Sequence, residues 1–228
     1  MGLLTLDRLN EIIDKSDFQN FSTFVETGTY TGRSIIPLSK QYSLKNFFTI
    51  EIVDELYEYA KNQAKISDVK NIEFIKGDTI KELKIILNNI KDDFIICFLD
   101  AHSSPYEGDK AETIEKDSHN SVNKNFLERI FSYFNKKKYS LSTNIKKNKL
   151  SDYEVPLLEE LKIINNYNKN FLIIVDDFDL FEKKLSFADW KNVDRKKIEN
   201  IFGSRLLKSF DMPKKGLNGP QLVLKIKN

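Results

Sequence analysis

The sequence predicts an α/β fold: a doubly wound, mostly parallel sheet that ends in an antiparallel hairpin. Three observations lead there. Apolar strand-like runs alternate with amphipathic helical stretches between Thr5 and Phe202. A glycine turn, Gly28-Thr29-Tyr30-Thr31-Gly32, directly follows the first of those runs. At the far end, Arg205–Phe210 and Gln221–Ile226 are joined only by a loop with Pro213, Gly216, Gly219 and Pro220, so they pair most simply as antiparallel strands.

Each element has its own signal. Thr5–Lys15 sets Leu6, Leu9, Ile12 and Ile13 at helical spacing. Thr23–Glu26 reads as the first strand, and a helix over Arg33–Gln41 follows the glycine turn. Asn46–Ile52 is a second strand, and Asp54–Lys65 a helix with Leu56, Tyr59, Ala60 and Gln63 along one side. Ile72–Lys76 is a third strand closed by Gly77-Asp78, and Thr79–Asn89 places Ile80, Leu83, Ile86 and Leu87 on one helical face. Phe94–Leu99 is apolar throughout, the mark of a parallel strand covered on both sides. Val155–Tyr167 is a helix that tolerates Pro156 in its first turn, Phe171–Val175 another buried strand, and Val193–Phe202 the last helix.

One stretch breaks the alternation. Between Asp100 and Val155 lie more than fifty residues where a helix and short loops would suffice. Asn125–Phe134 has a helical apolar pattern, and no acidic residue occurs between Glu128 and Asp152 while Lys136–Lys138 and Lys146, Lys147 and Lys149 do. The expectation is one domain over residues 1–228 with an inserted lid or arm at about 103–152. That basic arm suits a phosphate-bearing substrate or nucleic acid, or is simply a solvated loop.

Composition narrows the classes. The 228 residues are enough for one sizeable core, and 36 basic against 34 acidic side chains leave no global field for nucleic acid or membrane. One cysteine, Cys97, sits inside an apolar run, which excludes a disulfide framework. No apolar run reaches the roughly 18 residues of a membrane span. The start of the chain lacks a secretory signal and a myristoylation pattern, so a soluble cytoplasmic protein is expected.

In open α/β sheets, ligands bind beyond the carboxyl ends of the strands, where strand order reverses. Here those ends carry Glu26, Glu51, Asp78, Asp100 with His102, and Asp176-Asp177. Glu51 lies 19 residues after Gly32, placed to accept from both ribose hydroxyls of a nucleoside cofactor; the other reading is a solvated carboxylate. Asp78 directly precedes a helix and reads equally as an N-cap or as a group near an adenine amine.

Taken in order, VETGTYTG (Val25–Gly32), TIEI (Thr49–Ile52), IKGDT (Ile75–Thr79), FLDAHSS (Phe98–Ser104) and LIIVDDF (Leu172–Phe178) resemble the class I S-adenosylmethionine-dependent methyltransferases. The likeness is nearest to small O-methyltransferases of bacterial polysaccharide and natural-product clusters. It implies a Rossmann-like fold, with Glu26, Gly28, Thr29 and Gly32 around the methionine end of S-adenosylmethionine. It also implies Glu51 on the ribose, Asp78 and Thr79 on the adenine side, and Asp100 beside the cofactor. The sequence departs from the family turn at Tyr30, which stands where a middle glycine is usual.

Methyl transfer to a hydroxyl needs alignment and removal of a proton. Asp100 and His102 follow the fourth strand and are the expected catalytic pair, His102 as general base; it also reads as a metal ligand or a structural loop histidine. His119 falls in a polar stretch and reads as solvated. Three carboxylates at neighbouring strand ends, Asp100, Asp176 and Asp177, would repel unless a cation such as Mg²⁺ or hydrogen bonds offset them; the other reading is that Asp177 or Asp179 caps a turn. The expected acceptor is a sugar or other small polar metabolite. The alternatives are a nucleic-acid methyltransferase using the basic arm, against which the lack of an Asn-Pro-Pro-Tyr-type motif counts, and a non-catalytic binding module on the same scaffold.

Overall fold

A computed structural model describes residues 3–18, 21–102, 153–185 and 188–228. The chain divides into two units, residues 1–102 with 153–228 and residues 103–152, and all described residues belong to the first. The expected arm and His119 therefore lie outside the described residues.

The alternation holds. Helix α1 (Leu6–Ser16) starts at Thr5, whose hydroxyl accepts from Arg8 N–H, and stops at Asp17 in left-handed conformation. Strand β1 (Thr23–Thr27) is buried along its whole length. Helix α2 (Ile35–Gln41) begins two residues later than its apolar pattern suggests, because the turn before it runs on through Ser34. Then come β2 (Asn46–Glu51), α3 (Asp54–Ile66), β3 (Ile72–Lys76), α4 (Thr79–Asn89) and β4 (Phe94–Leu99). After the undescribed segment, α5 (Leu157–Asn165) starts with Pro156 as its N-cap residue. It is followed by β5 (Asn170–Val175), a 3-10 turn (Phe178–Leu180), α6 (Arg195–Phe202), β6 (Leu206–Met212) and β7 (Gln221–Ile226).

The seven strands lie in the order β3-β2-β1-β4-β5-β7-β6. Neighbours from β3 to β5 are parallel, whereas β7 runs antiparallel to both β5 and β6. The order reverses between β1 and β4, so a crevice forms outside their carboxyl ends. Alternation of side chains splits the interior in two. Val25, Cys97, Leu99 and Ile173 pack with Leu83, Leu161 and Ile198 on one face, against α4, α5 and α6. Phe24, Phe47, Phe98 and Ile174 pack with Leu9, Ile12, Ile35, Leu38 and Ala64 on the other, against α1, α2 and α3.

Register is what assembles the site. Thr27 pairs with Leu99, and Leu99 with Val175. Asp100 N–H then donates to Thr27 O and Asp176 N–H to Leu99 O, both at 3.1 Å, which brings the acidic strand ends to one level. Gly77 N–H closes the β2–β3 end onto Glu51 O at 3.0 Å.

Candidate active site

The turn after β1 is drawn tightly over the neighbouring strands. Gly28 and Thr29 N–H both donate to Ile50 O, at 3.0 and 3.1 Å. Gly28 has φ +82°, and a Cβ there would lie 2.6 Å from the Asp100 carbonyl oxygen, so only glycine lets the turn sit against the end of β4. Gly32, at φ +78°, would press a Cβ to 2.8 Å from Ile36 Cδ1. Tyr30 takes the left-handed conformation (φ +50°) that a glycine would supply, and its N–H donates to Glu51 Oε2 at 2.7 Å. The departure at Tyr30 thus keeps the backbone path and adds a side chain to the pocket wall.

Beneath the turn runs a chain of buried polar groups. Thr29 Oγ1 contacts Thr49 Oγ1 at 2.5 Å, and Thr49 Oγ1 donates to Glu26 Oε2 at 2.7 Å. Burial pushes the Glu26 carboxyl well above the usual carboxylate range; the Thr49 hydroxyl opposes this, while the charges of Asp100 and Glu51 add to it. Glu51 ends β2 with both oxygens on backbone donors, Oε2 on Tyr30 N–H and Oε1 on Val53 N–H at 2.9 Å. Asp78 is the N-cap of α4, its Oδ1 accepting from Ile80 N–H at 2.8 Å, with Thr79 buried behind it.

A cleft open to solvent lies over this turn; Leu3, Glu26, Tyr30, Arg33, Asp100 and Leu217 are among its lining residues. Its two acidic groups lie at strand ends and suit a cationic ligand. Leu4 N–H donates to Ser34 Oγ at 3.1 Å, which ties the segment before α1 to the turn.

At the next strand ends, His102, Asp100 and Asp177 come together. His102 Nε2 is 2.8 Å from Asp177 Oδ2 and 3.6 Å from Asp100 Oδ1. Asp177 reaches this place through a left-handed backbone (φ +53°) just after β5, a conformation aspartate tolerates. Burial pushes Asp177 upward, but the hydrogen bond and charge of His102 outweigh it, and its carboxyl titrates below its ordinary value. With Asp177 ionised, Nε2 is the donor of that bond and Nδ1 carries the basic lone pair. Burial raises Asp100, against the pull of His102. The indole of Trp190 packs edge-on against His102 with centroids 5.4 Å apart, and stacks on Phe181 at 5.9 Å.

The expected cluster of three aspartates is arranged differently. Asp176 is buried, its Oδ1 accepting from Gln221 Nε2 at 3.2 Å, and burial together with Asp100 and Asp177 pushes its carboxyl well up. Successive residues of a strand end point to opposite sides, so Asp176 and Asp177 do not converge. The donor atoms that do converge, within 4.8 Å of one another, belong to Asp100, His102 and Asp177.

Reading of the sequence missed Glu160. It lies on α5, fully buried, with burial raising its carboxyl to about 7 against the pull of the Thr79 and Thr27 hydroxyls. A signal existed: Glu160 falls on the apolar stripe of α5 beside Leu157, Leu161 and Ile164, where a charge is out of place.

Residues 19–104 match a family model described as "Putative methyltransferase". A protein of Fusobacterium nucleatum described as an uncharacterized RNA methyltransferase is 37% identical over 82 residues, 36% of this chain and 18% of that protein. The chain therefore corresponds to under a fifth of that relative's length. Among solved structures, the O-methyltransferase TomG of Streptomyces achromogenes, solved with S-adenosylmethionine, aligns over 100% of this chain and 82% of its own with TM-score 0.51 and 13% identity. Cofactor-bound Rv0187 from MTB aligns over 99% and 82% with TM-score 0.52 and 13% identity. These likenesses establish the fold. The strand order and the glycine turn after β1 are those of a Rossmann-like methyltransferase fold, and the match to the family model lies within residues 19–104.

Proposed function

We propose that this protein transfers a methyl group from S-adenosylmethionine to a hydroxyl of a sugar or other small polar metabolite. The observation that carries the reading is the His102–Asp177 pair, 2.8 Å apart, beside Asp100 and the cleft over the glycine turn. S-adenosylmethionine supplies an electrophilic methyl on a positively charged sulfur. Glu26 and Asp100 line the cleft that would take that charge. Glu51 would hold the ribose side, and Asp78 and Thr79 the adenine side. His102 takes the acceptor's hydroxyl proton at Nδ1 as the oxygen attacks, and Asp177 holds the ring in the tautomer that allows it.

A second reading rests on the convergence of Asp100, His102 and Asp177. Two carboxylates and one imidazole fit a divalent first-row ion better than Mg²⁺, which favours oxygen ligands. His102 would then give its Nε2 lone pair to the ion, and the ion would lower the pKa of the acceptor hydroxyl. The likeness to a protein described as an RNA methyltransferase also keeps RNA among the candidate acceptors. Methylation that begins with thiolate addition to a base ring is disfavoured, because the sole cysteine, Cys97, is fully buried in β4.

The test is calorimetry with S-adenosylmethionine and S-adenosylhomocysteine, followed by labelled-methyl transfer to panels of hydroxylated metabolites and to RNA, with and without a chelator. Failure of the wild type to bind either ligand would end the proposal. Once an acceptor is known, His102→Ala should lower kcat at least a hundredfold and leave the S-adenosylhomocysteine Kd within threefold. Unchanged turnover would remove His102 as the base. Chelator-sensitive turnover would favour the metal reading.

A further inference from the structure

Glu160 is a carboxyl in the wrong company. It is fully buried, and its charged neighbours, Asp78 at the head of α4 and Asp100 after β4, are both acids. Among the described residues neither of its oxygens has a hydrogen-bond partner, and the same is true of Thr27 Oγ1. Yet the hydroxyls of Thr27 and Thr79 lie close enough to draw the carboxyl's titration down against burial. Such a group costs stability, since an apolar side chain of similar volume would satisfy this interior better. Its place in the fold supplies a reason for keeping it. Thr27 is the last residue of β1 and leads directly into Gly28, while Thr79 opens α4 directly after Asp78. Glu160 is a buried residue of α5, which packs on the sheet face that also carries α4.

We propose that Glu160 is a positioning residue for the cofactor pocket, its carboxyl accepting from the Thr27 and Thr79 hydroxyls and so drawing the β1 turn and the head of α4 into fixed spacing. The inference rests on the cofactor reading given above and adds a residue that touches no ligand. It separates two properties that usually move together. Removing the carboxyl relieves an unfavourable burial, so the fold gains or keeps stability, while the pocket loses its spacing and the ligand is held less well.

The experiment uses the full chain, with S-adenosylhomocysteine binding read by calorimetry and melting temperature read in parallel. Glu160→Leu should melt at or above the wild-type temperature near pH 7.5 and bind at least tenfold more weakly. Glu160→Gln, which keeps the shape and can pair with both hydroxyls, should bind within threefold of wild type. Thr27→Val, which removes a hydroxyl with no ligand role and spares the acid, should weaken binding at least threefold and serves if the leucine variant does not fold. Wild-type affinity in the leucine variant, or in Thr27→Val where the leucine variant does not fold, overturns the inference. So does a glutamine variant as weak as the leucine one, since charge and not hydrogen bonding would then be at work. Absence of binding by the wild type overturns the cofactor reading itself, and this inference with it.

Discussion

Gly28 carries two constraints at once, a positive φ and a backbone oxygen where its side chain would begin. Alanine there meets the left-handed penalty and must push the turn off the end of β4, for a cost of about 2 kcal/mol or more. Gly28→Ala should therefore lower the urea midpoint and abolish measurable S-adenosylhomocysteine binding; binding within threefold of wild type would show that the close approach is not needed. Tyr30 teaches the converse at the same scale. From the sequence it stood as a departure at a glycine position, and what could not be read was that tyrosine would adopt φ +50° and aim its N–H at Glu51. The residues at strand ends were legible because a carboxylate after an apolar run has few structural uses. Which of them converge was not, since the pairing of His102 with Asp177 depends on a left-handed turn that no local pattern announces.

Among the elements, the start of the final hairpin is tied to its surroundings by one guanidinium. Arg205, just before β6, donates to Lys227 O, to Asn165 O and Oδ1, to Tyr167 O and to Lys169 O, at 2.7 to 3.0 Å. It thereby joins the end of α5, the approach to β5 and the end of β7. A lysine has the charge but not the planar fork, and would leave several of those carbonyls unpaired. Arg205→Lys should cost about 2 kcal/mol in urea denaturation with an unchanged slope, and a loss under 0.5 kcal/mol would mean that water replaces the guanidinium. The existence and type of each described helix and strand followed from periodicity, and β3, α4, β4 and β7 kept their expected bounds. The helix starts that moved by two residues, at α2, α5 and α6, did so where a turn, a proline or an aspartate cap decided the start, because apolar spacing says which face is buried and not where a cap forms.

For the whole molecule, the carboxyl edge of the sheet is a store of acids kept from water. Glu26, Asp176 and Glu160 all have folded-state titration raised by burial. For Glu160 the unfolded chain gives up the proton near 4.5 and the folded chain holds it to about 7. Stability from this group is therefore present at low pH and falls as pH rises through that window, by about 3 kcal/mol in all. Melting temperatures of Glu160→Gln and wild type should draw apart between pH 5 and 7.5, with the variant the more stable at the upper end. Parallel curves would mean that Glu160 titrates normally. The fold class itself was the most legible property, since a parallel sheet with a reversal between β1 and β4 leaves its trace in every βα unit.

Cys97 has so far been only a filler of β4, fully buried, its thiol pushed far up by burial and by the charge of Glu160. It pairs in register with Val25 on one side and Ile173 on the other, at the centre of the sheet. A thiol in that place is invisible to alkylating reagents until β4 parts from its neighbours, and it is the only thiol the chain has. The unaltered protein thus carries its own clock for opening at the sheet's centre. Any ligand that grips the strand ends slows that clock in inverse proportion to the fraction of protein left unbound, about a hundredfold at a hundred times its Kd. Binding to this fold can therefore be timed on the unaltered chain without any acceptor in hand.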